Sequence, residues 1–216
     1  MFNNREQAAE KLAKDPALRK LAGSHDGLVL GIPRGGVVTA ATFAKRLHLP
    51  LDIIVTRKIA APGNPEYAIG AVGESGPVVW NEEAAGLFSD RDKAEMEEAA
   101  RQEAIRRNQA YRQGKTLTLS ERTIILVDDG LATGMTMLAA VHEAKHAGAK
   151  LVIVATPVAP PDTVEKLRNV ADQVVVLEVP RYFAAVAQFY EEFPQVSDGE
   201  VLALLQGKGK AERKGR

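Results

Sequence analysis

The sequence predicts an α/β fold: a mostly parallel central sheet flanked by helices on both faces, with a small C-terminal segment folded beside it. Three observations predict it. Short apolar runs rich in Val, Ile and Leu recur at residues 27–32, 51–56, 123–127, 151–156 and 173–177. Helical stretches at 37–47, 136–147 and 162–170 fall between them, and strand–helix–strand repeats imply parallel neighbours. The runs are also nearly continuous in their apolar character, as in strands buried on both faces.

Bulk properties narrow the class. The chain has 216 residues, 45% hydrophobic and 26% charged, ordinary values for a water-soluble globular protein. Its 28 basic and 28 acidic residues cancel, which argues against nucleic acid as a partner. The absence of cysteine excludes disulfides, thiolate metal sites and cysteine nucleophiles. The start is polar, without an apolar signal core, and no apolar run is long enough to span a bilayer. The expectation is a cytoplasmic protein with no membrane partner. One domain is expected over residues 1–206, with its core at about 27–178 and a separate terminal segment at 179–206. Residues 207–216 form a basic, glycine-rich tail expected to be disordered.

Along the chain, Asn4 and Gln7 read as a capping box, and Ala8, Leu12, Leu18 and Leu21 suit two short helices around Pro16. The run at 27–32 is broken by Pro33-Arg34-Gly35-Gly36 before the helix at 37–47. Residues 57–77 are rich in glycine and proline, with weak strands at 68–72 and 78–80. Residues 89–111 form a charged helix with Glu97/Arg101 and Glu103/Arg107 in the favourable i,i+4 order. It reads as a solvated scaffold and a candidate homodimer face. Asp162 is a candidate N-cap after Pro160-Pro161. Beyond Pro180 lie Tyr182, Phe183, Phe189, Tyr190 and Phe193, then a short helix at 198–205. These aromatics suit a small C-terminal core. His142 and His146 have a spacing seen in zinc sites, but no third ligand is near in sequence, and metal binding is not expected there.

The chemistry concentrates at residues 124–136, Ile-Ile-Leu-Val-Asp-Asp-Gly-Leu-Ala-Thr-Gly-Met-Thr. Two carboxylates end a buried strand, and a turn of small residues opens a helix. The unpaired amides of a helix start attract phosphate. Gly134 permits close backbone approach, and Thr133 and Thr136 offer hydroxyls. The acids cannot face that phosphate without repulsion. Ribose hydroxyls or a hydrated Mg²⁺ suit them. Like charges side by side are costly unless a ligand uses them.

Two further loops follow strands. Gly31-Ile32-Pro33-Arg34-Gly35-Gly36 offers converging amides and a guanidinium to a second anion. Arg57 and Lys58 directly follow the 51–56 strand and could neutralise a charged leaving group.

The Asp128–Thr136 stretch resembles the signature of the type I phosphoribosyltransferases, departing from it at Ala132, where many members carry a second threonine. The glycine pattern fits neither a P-loop nor a dinucleotide fingerprint. The resemblance covers about residues 27–177 and implies binding of 5-phosphoribosyl 1-pyrophosphate with Mg²⁺. Asp128 and Asp129 would hold the ribose hydroxyls and meet the metal indirectly. Gly130, Ala132, Thr133, Gly134, Met135 and Thr136 would hold the 5-phosphate. Arg34, Gly35, Gly36, Arg57 and Lys58 would hold pyrophosphate, with a cis peptide around Arg34-Gly35. Asp128, Asp129, Arg34 and Lys58 are the expected catalytic residues, Asp129 a candidate base. A mobile loop at 60–74 would close over the substrate, with Glu66 or Tyr67 reaching inward. A hood at 179–206 would cover a nucleobase or related nitrogen acceptor, Tyr182 or Phe183 stacking on it. The implied activity is Mg²⁺-dependent phosphoribosyl transfer with release of pyrophosphate. A rival on the same fold is a non-catalytic regulator that senses this ligand or a nucleotide, although the neutral charge and lack of extra domain length count against it. A phosphoacceptor receiver domain is disfavoured, because its acid pair lies on an early strand.

Overall fold

The structure, a computed structural model, describes residues 1–207. The side chains of Pro65 and Glu66 lie outside that description, as does the tail from residue 208 whose disorder was expected. The chain runs α1 (Arg5–Leu12), α2 (Pro16–Arg19), β1 (Gly27–Gly31), α3 (Gly35–Leu47), β2 (Leu51–Ile53), β3 (Arg57–Ala61), β4 (Asn64–Val72), β5 (Val79–Trp80), α4 (Glu82–Ala85), α5 (Asp90–Arg112), β6 (Thr123–Val127), α6 (Met135–His146), β7 (Leu151–Val158), α7 (Pro161–Arg168), β8 (Gln173–Glu178), a 3-10 turn (Val186–Phe189) and α8 (Asp198–Leu205).

The central sheet is ordered β2-β1-β6-β7-β8, with every neighbouring pair parallel. Side chains alternate across it. Leu28, Leu30, Ile124, Leu126, Val152 and Val154 pack under α6 and α7 through Met137, Val141, Val164 and Leu167. Val29, Ile125, Val127, Ile153 and Ala155 face the other way, against Ala9, Leu12, Phe43 and Leu47 of α1 and α3. Burial on both faces is why the strands read as continuous apolar runs. α8 packs beside α3 and α5 through Val201, Val37, Ala104 and Tyr111, so the C-terminal 179–206 stretch serves two separate places.

Several boundaries differ from expectation. β2 stops at Ile53 rather than residue 56, because Ile54 donates the last ladder bond to the Gly31 carbonyl (3.1 Å) and the chain then turns away. Asn4 caps α1 by accepting from the Gln7 amide (2.9 Å), but the Gln7 side chain returns to the Asn3 amide instead of Asn4. Pro160, with extended dihedrals, occupies the N-cap of α7, so Asp162 lies in the first turn and complements the helix dipole from there.

The largest difference lies in the glycine- and proline-rich region. It forms an antiparallel sheet ordered β3-β4-β5. Ile59, Gly70 and Trp80 lie opposite one another across the strands, and Ile59 and Trp80 pack with Val72, Phe88, Met96 and Ala100 on the α5 side. Lys58, Ala71 and Val79 form the alternate row, with Val79 packed into the α6 cluster. A Cβ on Gly70 would stand 2.9 Å from the Trp80 ring, so glycine here admits the indole rather than loosening the strand. The sheet is pinned to α6 by buried Glu143, whose carboxylate accepts from the Ser75 amide (2.9 Å), the Ser75 hydroxyl (2.7 Å) and the Gly76 amide (2.5 Å). Glu143→Ala is expected to cost about 1–3 kcal/mol by leaving those donors unpaired. Urea denaturation measures it, and the loss should exceed that of Glu143→Gln, which keeps an acceptor.

Candidate functional site

The parallel register sets Gly31 beside Val127, and Ile32 donates to the Val127 carbonyl at 3.1 Å. The loops that follow β1 and β6 therefore abut at the carboxyl end of the sheet, where α/β proteins bind ligands. A Cβ on Gly35 would collide with Asp129 Oδ2, and one on Gly36 would lie 2.5 Å from Asp128 Oδ1. No side chain fits at either position while the acids stay where they are. A cis peptide joins Pro33 to Arg34, one bond earlier than expected. Arg34 already has helical dihedrals (φ −102°, ψ −47°) as the N-cap of α3, so the bond after it belongs to the helix entry.

Each acid has one oxygen engaged. Asp128 is half-buried, and its Oδ1 accepts from the Asp129 amide at 2.8 Å. Asp129 is buried, and its Oδ2 pairs with Arg5 Nε at 2.6 Å. Among the described residues, the Asp129 amide and Arg5 are the N–H groups that donate to these two carboxylates, and the two carboxyl groups themselves stand within hydrogen-bonding reach of each other. Burial, and then the neighbouring Asp129 charge, hold the Asp128 carboxyl well above the usual carboxylate range.

Arg5 is a residue that sequence reasoning missed. It is buried, donates Nη1 to the Pro194 carbonyl (2.8 Å) and stacks 3.7 Å over the Phe193 ring. Tyr190 donates its hydroxyl to the Asp129 carbonyl at 2.5 Å, and burial pushes its phenol up. Phe2 pairs with Tyr190 in a parallel bridge, their rings 5.4 Å apart. A Cβ on Gly130 would collide with Val186, so the 3-10 turn rests on the acid loop. Both terminal segments thus enclose Asp129 from outside. No periodicity marks an arginine for a partner 124 positions away.

The phosphate-type turn is held by its carbonyls. Thr163 donates to the Ala132 carbonyl (2.6 Å), Thr56 to that of Thr136 (3.0 Å) and Leu138 to that of Gly134 (2.8 Å). Gly134, at φ +73°, caps α6 in the left-handed region. Among the described residues the amides of Thr133 and Gly134 make no hydrogen bond. Ala132 and Thr133 are exposed, and Met135 and Thr136 half-buried. The result is a set of donors beside two carboxylates.

The remaining predicted residues do not all converge. Arg34 and Lys58 are exposed and make no ion pair among the described residues. Lys58 lies on the α6 side of the small sheet, whereas Arg57 shares the α5 side with Ile59. Tyr182 is 91% exposed, while Phe183 stacks on Phe189 at 5.2 Å. Tyr67 is 48% exposed, and the Glu66 side chain lies outside the described residues.

The phosphoribosyl transferase domain family matches residues 2–193. Proteins from two strains of Mycobacterium tuberculosis, H37Rv and CDC 1551, provisionally named phosphoribosyl transferases, are each 41% identical over 209 residues, 95% of this chain and 46% of theirs. The chain spans about half the length of these curated relatives. The crystal structure of TT1426 from Thermus thermophilus superposes with a TM-score of 0.79 at 41% identity, covering 97% of this chain and 99% of that one.

Two outcomes follow from the electrostatics. An acid whose folded pKa is raised adds stability below its unfolded pKa and loses it as pH rises toward the folded value. Asp128→Asn should therefore be more stable than the parent at neutral pH, the gap closing below the ordinary carboxylate range, as thermal melts across pH would record. Arg5→Leu should cost about 3–5 kcal/mol by leaving Asp129 buried and unpaired, measured by urea denaturation at neutral pH.

Proposed function

This chain belongs to the phosphoribosyl transferase family, and on that premise we propose that it transfers a 5-phosphoribosyl group from 5-phosphoribosyl 1-pyrophosphate to a nucleobase or related nitrogen acceptor. The carrying observation is the pairing of two carboxylates, Asp128 and Asp129, with the unbonded amides of Thr133 and Gly134 at the start of α6. A ribose 5-phosphate carries matching groups: vicinal hydroxyls that donate and a phosphate that accepts.

In this reading the 5-phosphate lies against Thr133–Thr136, in the field of the α6 N-terminus. The ribose hydroxyls donate to the carboxylates of Asp128 and Asp129. Arg34, Lys58 and the amides of Gly35 and Gly36 receive the pyrophosphate. The nitrogen of the acceptor bonds to the anomeric carbon as the carbon–oxygen bond to pyrophosphate breaks, and the leaving group takes the electron pair. Positive charge on the ribose ring then faces the acid pair. Asp128, with its raised proton affinity, suits acceptance of the proton shed by the acceptor better than Asp129, whose carboxylate is committed to Arg5. Tyr182, free on the surface above this end of the sheet, is the candidate stacking partner for a ring.

Mg²⁺ fits as a metal carried largely by substrate. Among the described residues no group of three or more His, Asp or Glu side chains could hold an ion, and Mg²⁺ commonly binds one or two carboxylates plus phosphates and water. When bound, it would neutralise pyrophosphate charge. Among the described residues no helix is long and apolar enough to cross a membrane, and we place the protein in the cytoplasm with small molecules as partners.

Calorimetric titration with 5-phosphoribosyl 1-pyrophosphate and Mg²⁺ should show binding that Asp128→Asn/Asp129→Asn abolishes. Pyrophosphate release should then appear with one member of a panel of purines and pyrimidines. Unchanged binding in the double variant would refute the ligand assignment. Binding without release across the panel would favour a sensor, a role that the tethering of Asp129 to Arg5 would suit.

A further inference from the structure

The two halves of the proposed site meet at one buried guanidinium. α1 packs along α3 through Ala9, Leu12, Phe43 and Leu47. That packing brings Arg5, the first residue of α1, to Gly35, the first residue of α3. A Cβ on Gly35 would lie 3.1 Å from Arg5 Nε, the same atom that pairs with Asp129 Oδ2 at 2.6 Å. Asp129 belongs to the loop read above as holding ribose, and Gly35 to the loop read as holding pyrophosphate. Arg5 belongs to neither loop, yet it stands against both.

The guanidinium is fixed from two further sides. Its Nη1 donates to the Pro194 carbonyl at 2.8 Å, and its central carbon lies 3.7 Å from the centre of the Phe193 ring. Arg5 is buried, so these contacts are shielded from water. A buried ion pair often contributes no more net stability than apolar residues of the same volume. What it supplies here is a fixed geometry, with Asp129 held against Gly35. A ligand that spans two half-sites gains affinity over either half only when both are held at the spacing it requires. 5-Phosphoribosyl 1-pyrophosphate makes that demand, because its phosphorylated ribose falls to one loop and its pyrophosphate to the other.

Resting on the phosphoribosyl reading of the cleft, we propose that Arg5 is a positioning residue: it clamps Asp129 against Gly35 and so keeps the ribose-binding and pyrophosphate-binding loops in register for a ligand that occupies both. It acts through Asp129 rather than on the substrate. Its contribution is to the joint occupation of the two halves, not to either half alone. Lysine is no substitute, because an ammonium on a flexible stem cannot pair with Asp129, reach the Pro194 carbonyl and stack on Phe193 at once.

The test is calorimetric titration of the full chain with ribose 5-phosphate, with pyrophosphate and Mg²⁺, and with 5-phosphoribosyl 1-pyrophosphate and Mg²⁺, circular dichroism confirming that each variant is folded. Arg5→Lys keeps the buried charge balanced, and it should weaken binding of the whole ligand at least about tenfold while each half binds within about threefold of the parent. Phe193→Leu leaves both charged partners in place. It should show the same selective loss at smaller amplitude, and it decides the matter alone should Arg5→Lys not fold. Equal losses for all three ligands, as general damage to the cleft would produce, would overturn the proposal. So would a loss confined to ribose 5-phosphate, or parent-like binding of the whole ligand by both variants. A parent chain that binds none of the three overturns the phosphoribosyl reading and this inference with it, whereas failure of the inference alone leaves the parent's binding intact.

Discussion

The buried pair between Arg5 and Asp129 is the constraint on which the site depends. Two adjacent carboxylates at a strand end repel each other, and a low-dielectric setting amplifies that repulsion. Arg5 relieves it at one of the two, while burial and the Asp129 charge raise the proton affinity of the other, Asp128. The pair also fixes the Asp129 side chain, since its Oδ2 is held on the guanidinium at 2.6 Å. Removing one partner of such a pair costs more than forming it contributes, because the other is stranded without water. The site's electrostatics are therefore inseparable from the packing of α1, although α1 holds none of the acids.

Close backbone approach is the second theme. Gly35 and Gly36 press α3 against the acids, Gly130 admits Val186, and Gly134 opens α6 in a conformation that side chains rarely adopt. Each has a different neighbour, yet all four lie in the loops at the carboxyl end of the central sheet. Away from the cleft, Glu143 uses the same device in reverse, a carboxylate clasped by the amides of a glycine-containing turn. It locks the small sheet to the helix whose N-terminus lines the site.

Much of this was legible in the sequence. The five apolar runs marked the five strands of the central sheet, since burial on both faces leaves an uninterrupted hydrophobic signal. Asp128-Asp129 and the turn to Thr136 stood out because paired acids followed by small residues are a poor choice for plain structure. What failed to show had physical causes. Glycine and proline between 57 and 77 suggested looseness, but Gly70 is there to admit Trp80, and composition cannot distinguish space from flexibility. Arg57 and Lys58 looked like one unit, yet consecutive strand residues face opposite ways. Arg5 carried no signal, because its partner is set by the tertiary fold alone. The charged helix read as solvated, and its Glu103–Arg107 spacing was right, but its packing against Ile59 and Trp80 depends on the small sheet.

The bridge between Phe2 and Tyr190 extends further. Phe2 donates to the Phe189 carbonyl, and Glu191 and Glu192 donate back to Phe2 and Asn3. The chain's opening residues and a segment almost 190 positions later are woven into one seam directly behind the acid pair. Substitutions or deletions at Phe2 and Asn3 therefore act on the backbone behind the acid pair, although neither residue touches a carboxylate of that pair.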